Sequence, residues 1–453
     1  MSEATGTTAT ADASTAATDP ATGTEATTAP TGGATDSETG APTASTPTEP
    51  GTSDPTTGTF TTTTGPDPDT TTSDDTTSTT GDPVRGSGRI VGYFTAWAVY
   101  DRDYHVSEIP ADKLTHVNYA FANLSPAGEC VLGDSYADIE KAYDGDDPGA
   151  PLKGSFNQLQ KLKQQHDHLR TLISVGGYTW STNFAPNSAT EQGRAKLAAS
   201  CVKFMRDYGF DGVDIDWEFP ASPQEGQNYS ALLAALRAEL DAAEAEDGAE
   251  YLLTIAAPAG PGNLANLDLP GIAASVDWIN LMAYDFAGPW MGTTTFNAAL
   301  YSPADDPDPN NAGLSDDAAV TAILAAGVPP DQLVLGVPFY GRSFAGAGGG
   351  QDGLYSNFSG PGPGTWEPGI VDYHDIAANY EPEIERFWHD EAQVPWLYDA
   401  ADDLFITYDD PQSMQAKAEY IADKGLGGAM FWELAGDTQD SALLTVLADA
   451  LLP

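Results

Sequence analysis

The stretch Phe210-Asp211-Gly212-Val213-Asp214-Ile215-Asp216-Trp217-Glu218-Phe219-Pro220 decides how the chain is read. Asp214, Asp216 and Glu218 stand at every second position, so on a β-strand their carboxylates leave the same face. Val213, Ile215, Trp217 and Phe219 alternate with them, which predicts an opposite face buried in a core. Three acids this close repel one another, and at least one is expected to stay protonated near neutral pH. A carboxyl of raised pKa beside an ionised carboxylate is what a glycosidase needs from its general acid. The plain alternative, in so acidic a chain, is a solvated strand face. A calcium loop would need a turn glycine and oxygen ligands at alternate places, where bulky Ile215 and Trp217 stand, so no metal is expected.

Composition bounds the rest. The first 84 of the 453 residues are rich in Thr, Ala, Gly, Pro and Ser and lack hydrophobic periodicity. Such a segment cannot bury enough apolar surface to offset its ordering entropy, so residues 1–85 are expected to be a disordered linker or stalk. Residues 86–453 suit one barrel-sized domain. Residues 1–84 hold 13 of the 67 acids and none of the 18 bases, leaving 54 acids against 18 bases beyond them. The formal net charge of −49 is therefore not a tail effect. Acid excess with few lysines looks like the proteins of salt-loving microbes, and a halophilic enzyme is expected, its self-repulsion screened by salt. Nucleic acid and anionic membranes are poor partners for this charge. No stretch is long enough to span a membrane, so no membrane insertion is expected. The first residues, Met-Ser-Glu-Ala-Thr, show no basic or apolar signal-peptide region, yet a Thr-rich stalk points to export and an extracellular protein. Cys201 falls in an apparent helix (195–208) and reads as a buried thiol rather than half of a disulfide with Cys130.

From residue 89 apolar runs alternate with amphipathic stretches, the pattern of parallel strands joined by helices. Strands are expected over 89–95, 116–123, 169–177, the acidic stretch, 251–257, 277–285, 332–339 and 427–433. Helices are expected over 156–166, 191–208, 228–244, 318–326, 413–424 and 440–451. Residues 343–404 break this rhythm with Gly, Pro and aromatics and read as a small inserted α+β subdomain. Eight strand–helix repeats with one insertion between strands seven and eight predict an α/β (β/α)8 TIM barrel, with its active site at the C-terminal strand ends.

Those ends carry Ser174-Val175-Gly176-Gly177, the acids, Met282-Ala283-Tyr284-Asp285 and Phe431-Trp432-Glu433. At this point the chain resembles the chitinases of glycoside hydrolase family 18, whose SxGG and DGxDxDxE markers correspond to Ser174–Gly177 and Asp211–Glu218. The likeness extends over about residues 88–453, the insertion included. It implies hydrolysis of β-1,4-linked N-acetylglucosamine polymers with retention, the substrate's own 2-acetamido oxygen acting as nucleophile. The resemblance makes Glu218 the general acid/base, Asp216 the acetamido N–H acceptor, Asp214 its proton-sharing neighbour and Tyr284 a donor to the acetamido oxygen. It places Asp285 as a polar substrate contact, Trp432 as the floor under the distorted sugar, and Tyr93, Ser174 and Met282 as supporting residues. Arg342 resembles a family arginine near the cleft, and Trp97, Trp290 and Trp396 are candidate sugar platforms. Tyr178 departs from the tryptophan that many members carry after SxGG, so stacking on the leaving side is expected to cover less area. Asp211 is given a structural role.

The insertion resembles a subdomain that raises one cleft wall in one branch of the family. Chitin or chitooligosaccharides are the expected partners, with no cofactor and a monomeric chain. An endo-acting hydrolase of N-glycan cores shares the acidic motif, but the insertion argues against it. A catalytically dead chitin lectin usually lacks the acid that Glu218 supplies here. His166 and His168 lie in a polar run at a helix end and read as solvated.

Overall fold

The computed structural model describes residues 88–453 except Pro148, so the linker expected over residues 1–85 lies outside the described residues. Eight parallel strands form a closed barrel: Arg89–Thr95, His116–Leu124, Arg170–Gly176, Gly212–Asp216, Leu252–Pro258, Trp278–Met282, Leu333–Pro338 and Gly428–Trp432. Each pairs with the next, and the last pairs with the first through Arg89↔Gly428 to Gly92↔Phe431. Nearly every strand residue is buried, because one side faces the barrel interior and the other the surrounding helices. The eight-strand α/β barrel expected from the sequence is thus present.

Local signals fix the helix ends. Thr190 caps helix Glu191–Tyr208 by accepting from the Gly193 N–H, and Gly209 closes it at a φ of 73°. Ser222, with Pro223 in the first turn, starts helix Pro223–Asp247, longer than the expected 228–244. Two connections depart from the strand–helix alternation. Between strands one and two there are only 3-10 turns at Ala96–Val99, Val106–Glu108 and Ala111–Lys113, and between five and six only short helices at Pro261–Leu264 and Leu269–Ala273.

A second, antiparallel sheet follows strand seven. Its order is Gly360–Pro361, Tyr340–Ala345, Leu404–Thr407, Val394–Asp399, Glu385–His389, with Ile370–Asp372 also paired to Tyr340–Ala345. Its strands reach from Tyr340 to Thr407 because the two flanking strands pair with each other, Arg342 opposite Thr407. Phe296, Phe344, Trp396 and Phe405 fill its own apolar core.

One cysteine expectation is overturned. Cys130 and Cys201 form a disulfide, with Cα atoms 5.1 Å apart. Cys130 sits in a two-residue strand, Cys130–Val131, that folds back antiparallel on strand two and so comes against helix Glu191–Tyr208. The helical position of Cys201 does not preclude the bridge, because its partner arrives from another element.

Candidate active site

Strand four ends at Asp216, and the chain leaves the barrel there. Asp214 and Asp216 face the interior from the strand, whereas Glu218 lies just beyond it, its backbone N–H donating to the Ser181 hydroxyl at 2.8 Å. Val213, Ile215 and Trp217 are buried on the other side as expected. Phe219 is not part of that core; it is half-buried and lines the cleft, because the alternation stops where the strand does. The SxGG stretch is required by packing. Gly176 has a φ of 112°, and a Cβ there would collide with the Asp216 carbonyl oxygen. The Gly177 N–H donates to that same carbonyl at 2.9 Å, seating strand three against the acids.

Asp214 is fully buried and accepts four hydrogen bonds. Tyr93 and Ser174 hydroxyls donate to Oδ2 at 2.8 and 2.7 Å, while the Thr254 hydroxyl and Asn280 Nδ2 donate to Oδ1 at 2.6 and 3.3 Å. Burial raises its pKa and the four donors oppose that rise. Asp216 is buried with Oδ1 unpartnered. Burial, then the charges of Glu218 and Asp214, push its carboxyl well above the usual range. Glu218 is pushed up to about 7 by burial and by Asp285, against a hydrogen bond from the Tyr178 backbone. The site therefore holds fewer charges than acids at neutral pH.

Above these acids lies a cleft of about 940 Å3. Asp216, Glu218, Tyr178, Met282, Tyr284 and Asp285 line it, as do Trp97, Trp290, Arg342 and Trp432. Asp214, Tyr93 and Ser174 do not line the cleft; Tyr93 and Ser174 hold the buried Asp214 carboxylate beneath it. Tyr284 lines the cleft, and its single O–H has one weak partner in the protein, Met430 Sδ at 3.9 Å. Burial and then Asp216 keep that phenol protonated, well above its ordinary pKa. Trp432 packs between Tyr93 and Phe121, with ring centroids 5.5 and 5.8 Å away, the Phe121 ring stacked. Glu433 behind it is pinned by the Thr95 hydroxyl at 2.5 Å and by Arg102 at 3.2 Å.

One wall of the cleft is an ion-pair cluster. Asp285 has a φ of 60°, left-handed backbone that Asp tolerates better than most residues. Its carboxylate accepts from the Tyr340 hydroxyl at 2.6 Å and from Arg342 at 2.6 and 2.9 Å. The Arg342 guanidinium lies over the Trp290 ring, 5.3 Å from its centroid, a cation–π contact that fixes an indole 61% exposed. Tyr178, also in the cleft lining, is 85% exposed.

Trp396 does not reach the cleft. It is buried in the small sheet, its indole N–H given to the Asp352 carbonyl at 3.0 Å. Asp211 pairs with Lys163 at 2.9 Å and accepts from the Thr171 N–H at 2.7 Å, outside the cleft. His168 is exposed, and its ring nitrogen meets only the Ala111 carbonyl. Sequence reasoning missed Phe121, Trp180 and Tyr340 in the cleft wall, Ser181 behind Glu218, and Thr254 and Asn280 under Asp214. The position of Thr254 and Asn280, polar residues inside otherwise apolar strands, was the available signal.

Acid groups desolvated at the C-terminal mouth of a barrel, one glutamic acid still holding its proton near neutrality over an aromatic trough, define a glycoside hydrolase. The comparisons give the family. Residues 89–437 match the model for glycosyl hydrolases family 18, and the chain belongs to that family. It is 44% identical over 410 residues to chitinase A1 of Niallia circulans, covering 80% of this chain and 58% of that protein. It is 42% identical over 352 residues to endochitinase 1 of Metarhizium robertsii, covering 77% of this chain and 81% of that protein. Among solved structures, chitinase ChiA74 from Bacillus thuringiensis superposes with a TM-score of 0.77 at 40% identity, over 81% of this chain and 70% of that one.

Proposed function

We propose that the protein is a chitinase that cleaves β-1,4-linked N-acetylglucosamine chains with retention, by substrate-assisted catalysis. The observation that carries this reading is the stacked acid arrangement. Asp214 and Asp216 are desolvated together beneath Glu218, and Glu218 itself is held up to about 7 at the floor of the cleft. A second carboxylate nucleophile is not needed when the sugar's acetamido oxygen lies next to the anomeric carbon. Glu218 protonates the departing glycosidic oxygen and then removes a proton from the incoming water. Asp216 accepts the acetamido N–H and, once ionised, balances the oxazolinium charge; its proton rests meanwhile on Asp214. Tyr284 donates to the acetamido oxygen, and Met282 bounds the same pocket. Trp432 supplies the apolar platform under the reacting sugar. Asp285, Arg342, Trp290 and Tyr178 hold the leaving-side sugars, with Trp97 at the opposite end.

The small sheet, taken as an insertion subdomain after strand seven, raises one wall of the cleft and favours several sugars bound at once. The disulfide supports an oxidising, extracellular setting. No helix among the described residues is long and apolar enough to cross a membrane. The acid excess of 67 against 18 bases supports function in high salt, as a monomer. The test is the anomeric form of the first product. A chitin oligosaccharide followed by proton NMR should yield the β-anomer first, decaying later to the mixture. Initial α-product would refute the mechanism, and absence of cleavage would refute the substrate.

A further inference from the structure

The four donors around Asp214 are not equivalent. Tyr93, Ser174 and Thr254 present hydroxyls, which rotate and can accept as readily as they donate. Asn280 cannot reverse. The Trp278 indole Nε1, a donor only, gives its proton to Asn280 Oδ1 at 2.9 Å. That leaves the Asn280 amide a single orientation, its NH2 turned to Asp214 Oδ1. Thr254, Asn280 and Trp278 are all buried in strands five and six, below the cleft and out of reach of substrate. Asp216, by contrast, has a buried oxygen with no donor at all. Asn280 donates whatever the state of Asp214, and with the three hydroxyls it can fill the four lone-pair sites of an ionised carboxylate, whereas an undonated buried oxygen suits a protonated one.

We propose that Thr254 and Asn280, the latter locked by Trp278, are positioning residues that keep Asp214 as the ionised member of the pair and leave the resting proton on Asp216. The consequence rests on the substrate-assisted reading. When the oxazolinium cation forms, the Asp216 O–H bond breaks and an O–H bond forms on Asp214, with no other reactant. Hydroxyl partners of Asp214 turn from donating to accepting. The Asn280 amide cannot turn, so Asp214 is kept a poor resting place, and the proton returns to Asp216 when water opens the ring.

The groups facing Asp214 are Asp216 on its own strand with Glu218 beyond it, Tyr93 on strand one, Tyr284 beyond strand six and Tyr229 on helix Pro223–Asp247. None of these is a cation, so the neutral donors alone hold the charge. Thr254→Val keeps the side-chain shape and removes one donor; Thr254→Ser restores it. With 4-nitrophenyl N,N′-diacetylchitobioside, the acid limb of kcat/KM in Thr254→Val should move up by about one pH unit, the value of one hydrogen bond to a charged group. The alkaline limb, set by Glu218, should stay in place, and Thr254→Ser should return the acid limb to its original position. Trp278→Phe, which frees the Asn280 amide, should move the acid limb in the same direction. An unmoved acid limb in folded Thr254→Val, or equal movement of both limbs, overturns the proposal.

A second readout needs no turnover. The destabilisation of Thr254→Val relative to the wild type should grow as pH rises from about 4 towards about 7, because only the ionised pair misses the donor. A pH-independent difference, the mark of lost packing alone, also overturns it. A wild type that leaves the chitobioside intact would sink the functional reading, and the stability comparison would still decide the assignment of the proton.

Discussion

Replacing Lys417 by Met should destabilise the domain severely at neutral pH and much less in acid. Lys417 is fully buried on helix Pro411–Lys424. Its Nζ donates to Asp409 Oδ2 at 3.0 Å and to the Ala298 carbonyl at 2.7 Å, with Asp316 at 3.6 Å. One ammonium cannot neutralise two buried carboxylates. Asp316, the farther one, has both oxygens without a hydrogen-bond partner and its pKa raised by burial above all, which favours its neutral form, while Asp409 is the closer partner of the ammonium. Methionine keeps the length and removes the charge, leaving Asp409 buried without a counterion. Breaking a buried pair from one side costs about 3–5 kcal/mol. The effect reaches the active site, because Ala298 follows Asn297, whose Oδ1 accepts from the Asp285 N–H at 3.2 Å. Urea unfolding followed by tryptophan fluorescence measures the loss directly. Near pH 7 the fall should be about 3–5 kcal/mol. Around pH 4.5 it should shrink by half or more, because a lone Asp409 of raised pKa takes up a proton instead of staying charged. A loss below about 1 kcal/mol at pH 7, or one that ignores pH, would refute the claim that Lys417 is the counterion holding this junction.

Three other outcomes follow from the same structure. Tyr284→Phe should lower kcat on chitin oligosaccharides by about 100-fold while KM changes little, since the lost donor acts on charge that develops in the transition state; an equal loss confined to KM would count against that role. Reducing the Cys130–Cys201 bridge, or Cys130→Ser with Cys201→Ser, should cost roughly 4 kcal/mol from the closed loop of 71 residues; an unchanged urea midpoint would contradict it. The thermal midpoint should climb from low to molar salt if surplus carboxylates limit stability, and a flat or falling midpoint would remove the halophilic reading.

Much of this was legible in the chain because periodicity and burial agree. Strand Arg89–Thr95 and helix Glu191–Tyr208 fall where the apolar spacing put them. The acidic stretch announced its strand through Val213 and Ile215, but spacing could not reveal that the strand ends at Asp216. Glu218 therefore shares the cleft with Asp216 from a loop held by Ser181, not from a continued pleat, and Phe219 turns to the cleft. The disulfide was hidden because its geometry depends on a two-residue strand folding onto a helix. Trp396 and Trp290 look alike in sequence, yet only the position of each within the small sheet and the cleft wall separates a core indole from an exposed one on the cleft. Thr254 and Asn280 stand out as polar residues in apolar strands, but only the closed barrel points both at one carboxylate.

The most direct test of the central claim is turnover of a chitin oligosaccharide by Glu218→Gln beside the wild type, with binding of the same oligosaccharide measured on both. Glutamine keeps the shape and the Ser181 contact to the backbone N–H, and it removes the proton that the leaving oxygen needs. The account predicts retained binding with release of N,N′-diacetylchitobiose reduced to background. Release at an undiminished rate from the folded variant would contradict it, and the general acid would have to be sought elsewhere.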